Sequence, residues 1–472
     1  MLCAEIIFNT ILRPLIRSVA AGLGAEYCPG RDFNMNSKLL LLGVVLLGLW
    51  LGTVPAAQAQ GLTFTTNTYG VSGTAITVAT INGKPDLITA NNFANSLTIL
   101  TNNGSGVFGT NATIPTGDDP VFVAAIDLYG NGLTNLISAN YSGNSLTVLT
   151  NNGKGVFGSN ATLNVAISGP VCLAVADFNG DGKPDLVCAN ASQNYITEYL
   201  NNGSGTLVPT GTFGLSTPQT YVIAADINGD GKPDLITASS TGNTLSVLTN
   251  DGSGGFVLSA TLNTGSKPVS VVAVDVNGDG RPDLVCANYS GSSLTVFTNQ
   301  GSGQFGSNAT INVGALPSAL ATADFNGDGK PDLVCSTEGA RNAVLILTNN
   351  GGGIFSSNTS ISFPSDLVSV VTADFNGDGL PDVATVANSD LAYVLLQSGV
   401  PRPVLKIRQP NLNSVILTWV STATNFVVQT NNNLFTTNWS LANLTITNAA
   451  VTNQGATLSP LPPGKLFFRL HN

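Results

Sequence analysis

One nine-residue pattern recurs along this chain every 49 or 50 residues. Its clearest copy runs Asp177, Phe178, Asn179, Gly180, Asp181, Gly182, Lys183, Pro184, Asp185. The last position recurs as Asp234, Asp283, Asp332 and Asp382, and Asp86 and Asn135 hold it in two earlier copies. Seven copies at so long and regular a period restrict the fold to a solenoid or a propeller. Each period is then one unit that buries its apolar faces against its neighbours.

The content of a period separates the two. An apolar run leads into the pattern (PVCLAVADF), a second leaves it (DLVCAN), and a third follows a Gly/Asn/Ser turn (SLTVLTN). A stretch with an aromatic start comes last, after an Asn-Gly, Asp-Gly or Gln-Gly pair at 103, 152, 202, 251, 300 or 350. Such pairs predict tight hairpins, because both central residues of the favoured turns take positive φ. One period is therefore four short antiparallel strands without a helix, which is a propeller blade. The seventh period stops after its third strand, whereas the chain begins its repeats on an orphan fourth strand, GLTFTTNTYG, with Phe64 in the place of Phe108 and Phe157. The expected fold is an all-β, seven-bladed propeller of four-stranded blades over 61–400. Its N-terminal strand closes the ring and removes two sheet edges.

The flanks read differently. Residues 35–59 carry Lys38, an apolar run from Leu39 to Val54 and Ala57-Gln58-Ala59, the pattern of a cleavable secretory signal. The run is short for a membrane span; an uncleaved anchor is the other reading. Residues 1–34 look unrelated to the rest and are read as an extended start. The expectation is a protein exported to the exterior or surface of a bacterial cell, with no membrane span in the mature chain. After Gly399, Pro401, Pro403 and Pro410 mark a linker, and 401–472 alternates as a small β-sandwich-like domain without the Asp pattern.

Composition narrows the chemistry. The chain has one His, His471, and a net charge of -10. That argues against His-based catalysis, and against nucleic acid as a partner. Cys188, Cys286 and Cys335 each stand three residues after the last Asp of a copy, where other copies have Thr89, Ser138 and Thr237. A slot shared by Cys, Ser and Thr is a small packing site, so free buried thiols are expected; a Cys172–Cys188 pair is the open exception.

The pattern itself carries the chemistry. Oxygen donors stand at positions 1, 3, 5 and 9 with Gly at 6, and the carbonyl at position 7 can turn inward. Hard oxygen donors at this spacing suit calcium. Fifteen of the twenty-four acidic residues in 60–472 lie at these positions, and only Glu198 and Glu338 are Glu. Three carboxylates in one loop repel without a cation. Asp, Asn and Gly also make ordinary turns, but a plain turn does not need Asp at positions 1, 5 and 9 in five copies. An EF-hand needs a Glu at position 12 and flanking helices, whereas Pro stands at position 8 here. The NNGSGVFG-like segments lack the Lys-Ser/Thr of a phosphate loop.

These residues resemble the FG-GAP/VCBS repeat proteins, whose propeller is similar to the N-terminal head of integrin α subunits. The shared pattern is D-x-N-x-D-G-x-x-D, with Phe-Gly at 108–109, 157–158 and 305–306. The resemblance implies about five Ca2+ sites. The side-chain ligands would be Asp177, Asn179, Asp181 and Asp185; Asp226, Asn228, Asp230 and Asp234; Asp275, Asn277, Asp279 and Asp283; Asp324, Asn326, Asp328 and Asp332; and Asp374, Asn376, Asp378 and Asp382. The carbonyls of Lys183, Lys232, Arg281, Lys330 and Leu380 would complete them. Copy two has Tyr129, Asn131 and Asn135, and copy one, TINGKPD, is too short, so both should be weak or empty.

By the same resemblance, ligands would bind on the face built from the other loops, where Phe93, Tyr141, Tyr195, Tyr289, Glu338 and Arg341 fall. Exposed aromatics there suit a protein or glycan partner; half-buried loop packing is the alternative. The expected function is a non-enzymatic binding or adhesion module, monomeric and calcium-stabilised. A polysaccharide lyase-like or phosphodiesterase enzyme and a purely structural surface protein are the competing readings.

Overall fold

The structure, a computed structural model, describes residues 62–164 and 168–398, together with separate strands between 406 and 471. The 1–34 segment and the expected secretory leader lie outside the described residues.

Seven four-stranded antiparallel sheets form the blades. Blade three consists of Pro170–Ala176, Asp185–Asn190, Tyr195–Asn201 and Leu207–Gly214, in that order from the centre outward. Blade seven contains Leu367–Ala373, Asp382–Ala387 and Leu391–Ser398, and Thr63–Gly70 supplies its outermost strand. Thr63 pairs with Ser398 and Gly70 with Leu391, so the N-terminal strand is in register along its whole length. The ring closes as its two incomplete ends require.

The first strand of each blade packs on that of the next all round the circle. Together they line a central cavity of about 700 Å³, walled by residues such as Ile76, Val123, Ile223, Val271, Leu320 and Thr372 and by no Asp, Glu, Lys, Arg or His. The second strands are buried throughout, apart from Pro85 at the start of one and Glu338 at the end of another, because a neighbouring blade covers each face. Their apolar residues therefore run without interruption, as Leu-Val-Cys-Ala does, where a one-sided strand would alternate.

The shared slot is a packing site: Thr89, Ser138, Cys188, Thr237, Cys286 and Cys335 are all fully buried. Cys172 and Cys188 are both free. Cys172 lies opposite Ala189 and Cys188 opposite Leu173, so the two thiols point to opposite faces of the sheet. Cys172 packs with Val222 and Phe256 of blade four, and Cys188 with Leu146 and Val148 of blade two.

The outer hairpins differ from expectation. They are five-residue turns, not two-residue ones. In blade three the Asn202 N–H donates to the Thr206 carbonyl at 3.1 Å. Positive φ falls on Gly203 (81°) and Gly205 (78°) rather than on an adjacent pair.

Beyond residue 398, Lys406–Asn411, Ser414–Val420, Asn453–Leu458 and Thr445–Ala449 form one antiparallel sheet, and Ser440–Leu441, Val427–Asn431 and Phe467–His471 a second. The face-to-face packing expected of a sandwich lies outside the described residues.

Candidate metal centre

Each nine-residue pattern is the loop from the first strand of a blade to the second. Antiparallel connectivity places it at the same end of the ring as the five-residue turns between third and fourth strands. The turns between second and third strands lie at the opposite end.

In blade three, Asp177 closes the loop on itself: Oδ1 accepts the Asp181 N–H at 3.1 Å and Oδ2 the Gly182 N–H at 2.8 Å. Asn179 Oδ1 accepts the Asp181 N–H at 2.9 Å, and Asp181 Oδ1 the Lys183 N–H at 3.0 Å. Gly182, at φ 80°, makes the sharp bend that a side chain would resist. The same bonds recur at 2.8–3.2 Å around Asp226, Asn228 and Asp230. Among the described residues no three acidic side chains close into an assembled cation cage; the loops' own amides hold the donors.

Loop two provides an internal control. Asp127 accepts the N–H groups of Asn131 (3.1 Å) and Gly132 (2.7 Å), and Asn131 Oδ1 accepts that of Leu133 (3.0 Å). Asn at position 5 thus makes the same turn as Asp, so the Asp found there in the five full loops adds charge that the turn does not use. The donor set of those loops is all oxygen and acidic, which fits a hard divalent cation.

Position 9 has a second role that the sequence reading missed. Asp185 is buried. Its Oδ2 accepts the Phe178 N–H at 3.1 Å and its Oδ1 the Asn201 N–H at 2.8 Å, which pins the loop to the outer hairpin. The pin survives in both defective loops: Asp86 accepts from Asn102 N at 2.7 Å and Asn135 from Asn151 N at 3.0 Å. Persistence of Asp86 and Asn135 in defective loops was the signal for it.

The pin continues into the next interface. Asn201 donates from Nδ2 to the Leu128 carbonyl of blade two's loop at 2.8 Å. Asn250, Asn299, Asn349 and Gln397 do the same to Phe178, Ile227, Val276 and Phe325, and Asn102 to Phe375. The series misses one member. Loop one is two residues short, and Asn151 Nδ2, which would meet it, is buried without a partner.

Electrostatics separate the positions. Burial pushes the Asp185 carboxyl up, with repulsion from Asp181 adding to it. Burial, with repulsion from Asp324, takes Asp332 up to about 6. In loop seven burial, with repulsion from Asp378 and Asp374, takes Asp382 up to about 7. Asp181 is held below the usual carboxylate range, chiefly by its hydrogen bond from Lys183 Nζ at 3.0 Å.

Asp185→Ala should leave two buried N–H groups unpaired, a loss of about 2–6 kcal/mol at roughly 1–3 per group. Asp185→Asn should cost less, because Asn135 keeps the bond from the outer hairpin, accepting the Asn151 N–H. Denaturant unfolding in EDTA checks this; an Asp185→Ala loss no greater than that of Asp181→Ala would remove the pin.

The residues expected on the opposite face are dispersed over five blades. Phe93 of blade one stands free at 90% exposure and Tyr141 of blade two at 38%. Tyr195 is half-buried at the start of a strand, opposite Gly214. Only Tyr289 and Glu338 meet, across blades five and six: the Tyr289 hydroxyl donates to Glu338 Oε2 at 2.7 Å, with Lys267 Nζ 4.4 Å from the ring centre. That bond pushes the Tyr289 hydroxyl up to about 12. Arg341 is exposed on the neighbouring turn.

Comparison with known proteins agrees with this architecture. BBS1N in complex with ARL6DN, in a crystal soaked with mercury, superposes with a TM-score of 0.55 at 11% identity, over 71% of this chain and 97% of that one. The lead-soaked crystal gives 0.53 at 13%, over 72% and 97%. A functionally unknown protein from Desulfotomaculum acetoxidans DSM 771 gives 0.52 at 14%, over 66% and 93%. At these identities the likeness shows a shared fold. No curated protein sequence matches the chain. The family pattern of the FG-GAP-like repeat matches 127–188, 177–237, 226–286, 275–335 and 324–385, each stretch running from one loop through the next, and together they span more than half of the chain. The chain belongs to the FG-GAP-like repeat family.

Proposed function

We propose that this protein is an exported, non-enzymatic binding module whose propeller is stabilised by calcium in loops three to seven. The observation that carries the metal reading is loop two, which makes the same turn without the Asp residues at positions 5 and 9. In loops three to seven the ligands would be the side chains at positions 1, 3, 5 and 9 and the carbonyl at position 7. Bound calcium supplies a positive charge that offsets the repulsion among the three carboxylates of each loop. Extracellular calcium modules work at Kd of roughly 10⁻⁴–10⁻³ M, which fits an exported protein.

The binding reading rests on the opposite end of the ring. Phe93 and Tyr141 expose aromatic surface there, and such side chains anchor protein and glycan contacts. The solved propeller BBS1N, crystallised in complex with ARL6DN, lends the architecture a protein-binding precedent. A glycan array and a pull-down with the 60–472 chain test the reading, read against Phe93→Ala with Tyr141→Ala. A ligand whose retention falls at least tenfold in the double variant supports it. Depolymerisation of a polysaccharide by the purified chain would overturn it in favour of an enzyme.

A further inference from the structure

The five full loops are not equivalent. At position 7, loops three to six carry Lys183, Lys232, Arg281 and Lys330, whereas loop seven carries Leu380. Lys183 pairs with Asp181 at 3.0 Å, Arg281 with Asp279 at 3.7 Å and Lys330 with Asp328 at 3.7 Å. Lys330 also caps the outer turn of its own blade, at the Asn350 carbonyl (2.8 Å), and Lys232, which makes no ion pair among the described residues, caps that of blade four at the Asp251 carbonyl (2.7 Å). Blade seven has no such turn, because its third and fourth strands come from opposite ends of the chain. A lysine there would have no carbonyl to cap, and a buried Leu380 takes its place.

Loop seven therefore keeps Asp374, Asp378 and Asp382 with no basic side chain at position 7, whereas loop four, which likewise has no ion pair among the described residues, keeps the cationic Lys232 at the outer turn of its own blade. Asp378 Oδ2 receives only the neutral Asn376 Nδ2, at 3.0 Å. Asp378 is half-buried where its four counterparts are exposed, and lower solvation strengthens every charge interaction. The outer turn of blade one abuts Gly377 at Gly104, and Lys84 of loop one packs against that turn, but its side chain is bound to the Asn103 carbonyl.

The same loop holds both sides of the closure. Asp382 Oδ1 accepts the Gln397 N–H at 2.7 Å, from the strand that pairs with Thr63–Gly70. The Phe375 carbonyl accepts from Asn102 Nδ2 at 2.8 Å and from Gly106 N at 3.0 Å, both in blade one.

We propose that loop seven is the dominant cation site and that a divalent cation bound there clasps the ring shut, so that calcium governs closure ahead of any other blade. This rests on the calcium reading above. The cation replaces the position-7 charge that the chain cannot place in its closing blade.

The test is hydrogen exchange of the 60–472 chain as calcium is lowered with EGTA, comparing 63–70 and 391–398 with 244–250 and 256–263 of blade four. At limiting calcium the closing strands should exchange roughly tenfold faster than those of blade four, and saturating calcium should abolish the difference. Lys330→Leu, at a solvent-accessible position, should give 355–362 of blade six the same sensitivity. Leu380→Lys, where it folds, should weaken the tightest calorimetric site roughly tenfold. Simple fraying predicts fast exchange at 63–70 that calcium does not slow, and that result overturns the clasp. So does uniform calcium protection of all blades, which leaves the calcium reading standing. No calcium effect in any blade would remove both.

Discussion

EDTA should lower the melting temperature of the 60–472 chain strongly. A ligand that binds only the folded form contributes RT ln(1 + [L]/Kd), about 1.4 kcal/mol per site at tenfold excess over Kd. Five such sites sum to roughly 7 kcal/mol, comparable to the whole net stability of a domain. The figure is an upper one, since blades that open in groups do not add independently. Asp181→Ala should be destabilising in calcium and should recover part of the loss in EDTA.

The pH dependence has opposite signs in the two conditions. Without calcium, burial raises the position-9 carboxyls, with Asp332 at about 6 and Asp382 at about 7. The folded state then binds more protons than the unfolded chain, whose Asp titrates near 3.9. Stability from these groups is fully present below that value and is lost as pH rises through about 6 to 7. With calcium the cation needs ionised carboxylates, so protection should grow over the same range. Thermal scans at pH 5 and 7 with calcium and with EDTA read both signs; a calcium increment no larger at pH 7 than at pH 5 would contradict the assignment.

Removal of residues 61–70 should destabilise the whole ring. Blade seven would lose its outer strand and its pairing with Leu391–Ser398. It would also lose the packing of Phe64 on Phe325, at 6.4 Å between ring centres, and of Tyr69 on Phe108, at 5.7 Å. The Tyr69 hydroxyl, which accepts the Phe108 N–H at 3.1 Å, goes with them. The exposed edge of Leu391–Ser398 would then invite pairing with another chain. A truncated protein that melts with the 60–472 chain and stays monomeric would show that closure contributes little.

The architecture was legible because its signal is periodic. Seven equally spaced loops fix the number of blades, and a seventh period missing its fourth strand, with a spare one at the start, fixes the closure. The buried cysteines were legible from one slot that alternates Cys, Ser and Thr. Turn length was not: Asn202-Gly203 looks like a two-residue hairpin until Gly205, two residues on, takes the second positive φ. Nor was the pinning role of position 9, because Asp185 serves as a plausible cation ligand and as an acceptor for Asn201 at once. The interblade bond from Asn201 reaches a carbonyl 73 residues away, and local pattern carries no trace of that partner. The Asn that ends the third strand recurs in six of the seven periods, with Gln397 in its place in the last, but recurrence alone names no partner.

Calcium titration by isothermal calorimetry, with metal content by elemental analysis, tests the central claim most directly. The 60–472 chain should bind about five Ca2+, and changing Asp181, Asp230, Asp279, Asp328 and Asp378 to Asn should abolish binding while the propeller still folds, as loop two does with Asn131. Absence of calcium, or seven equal sites that include the defective loops one and two, would contradict it.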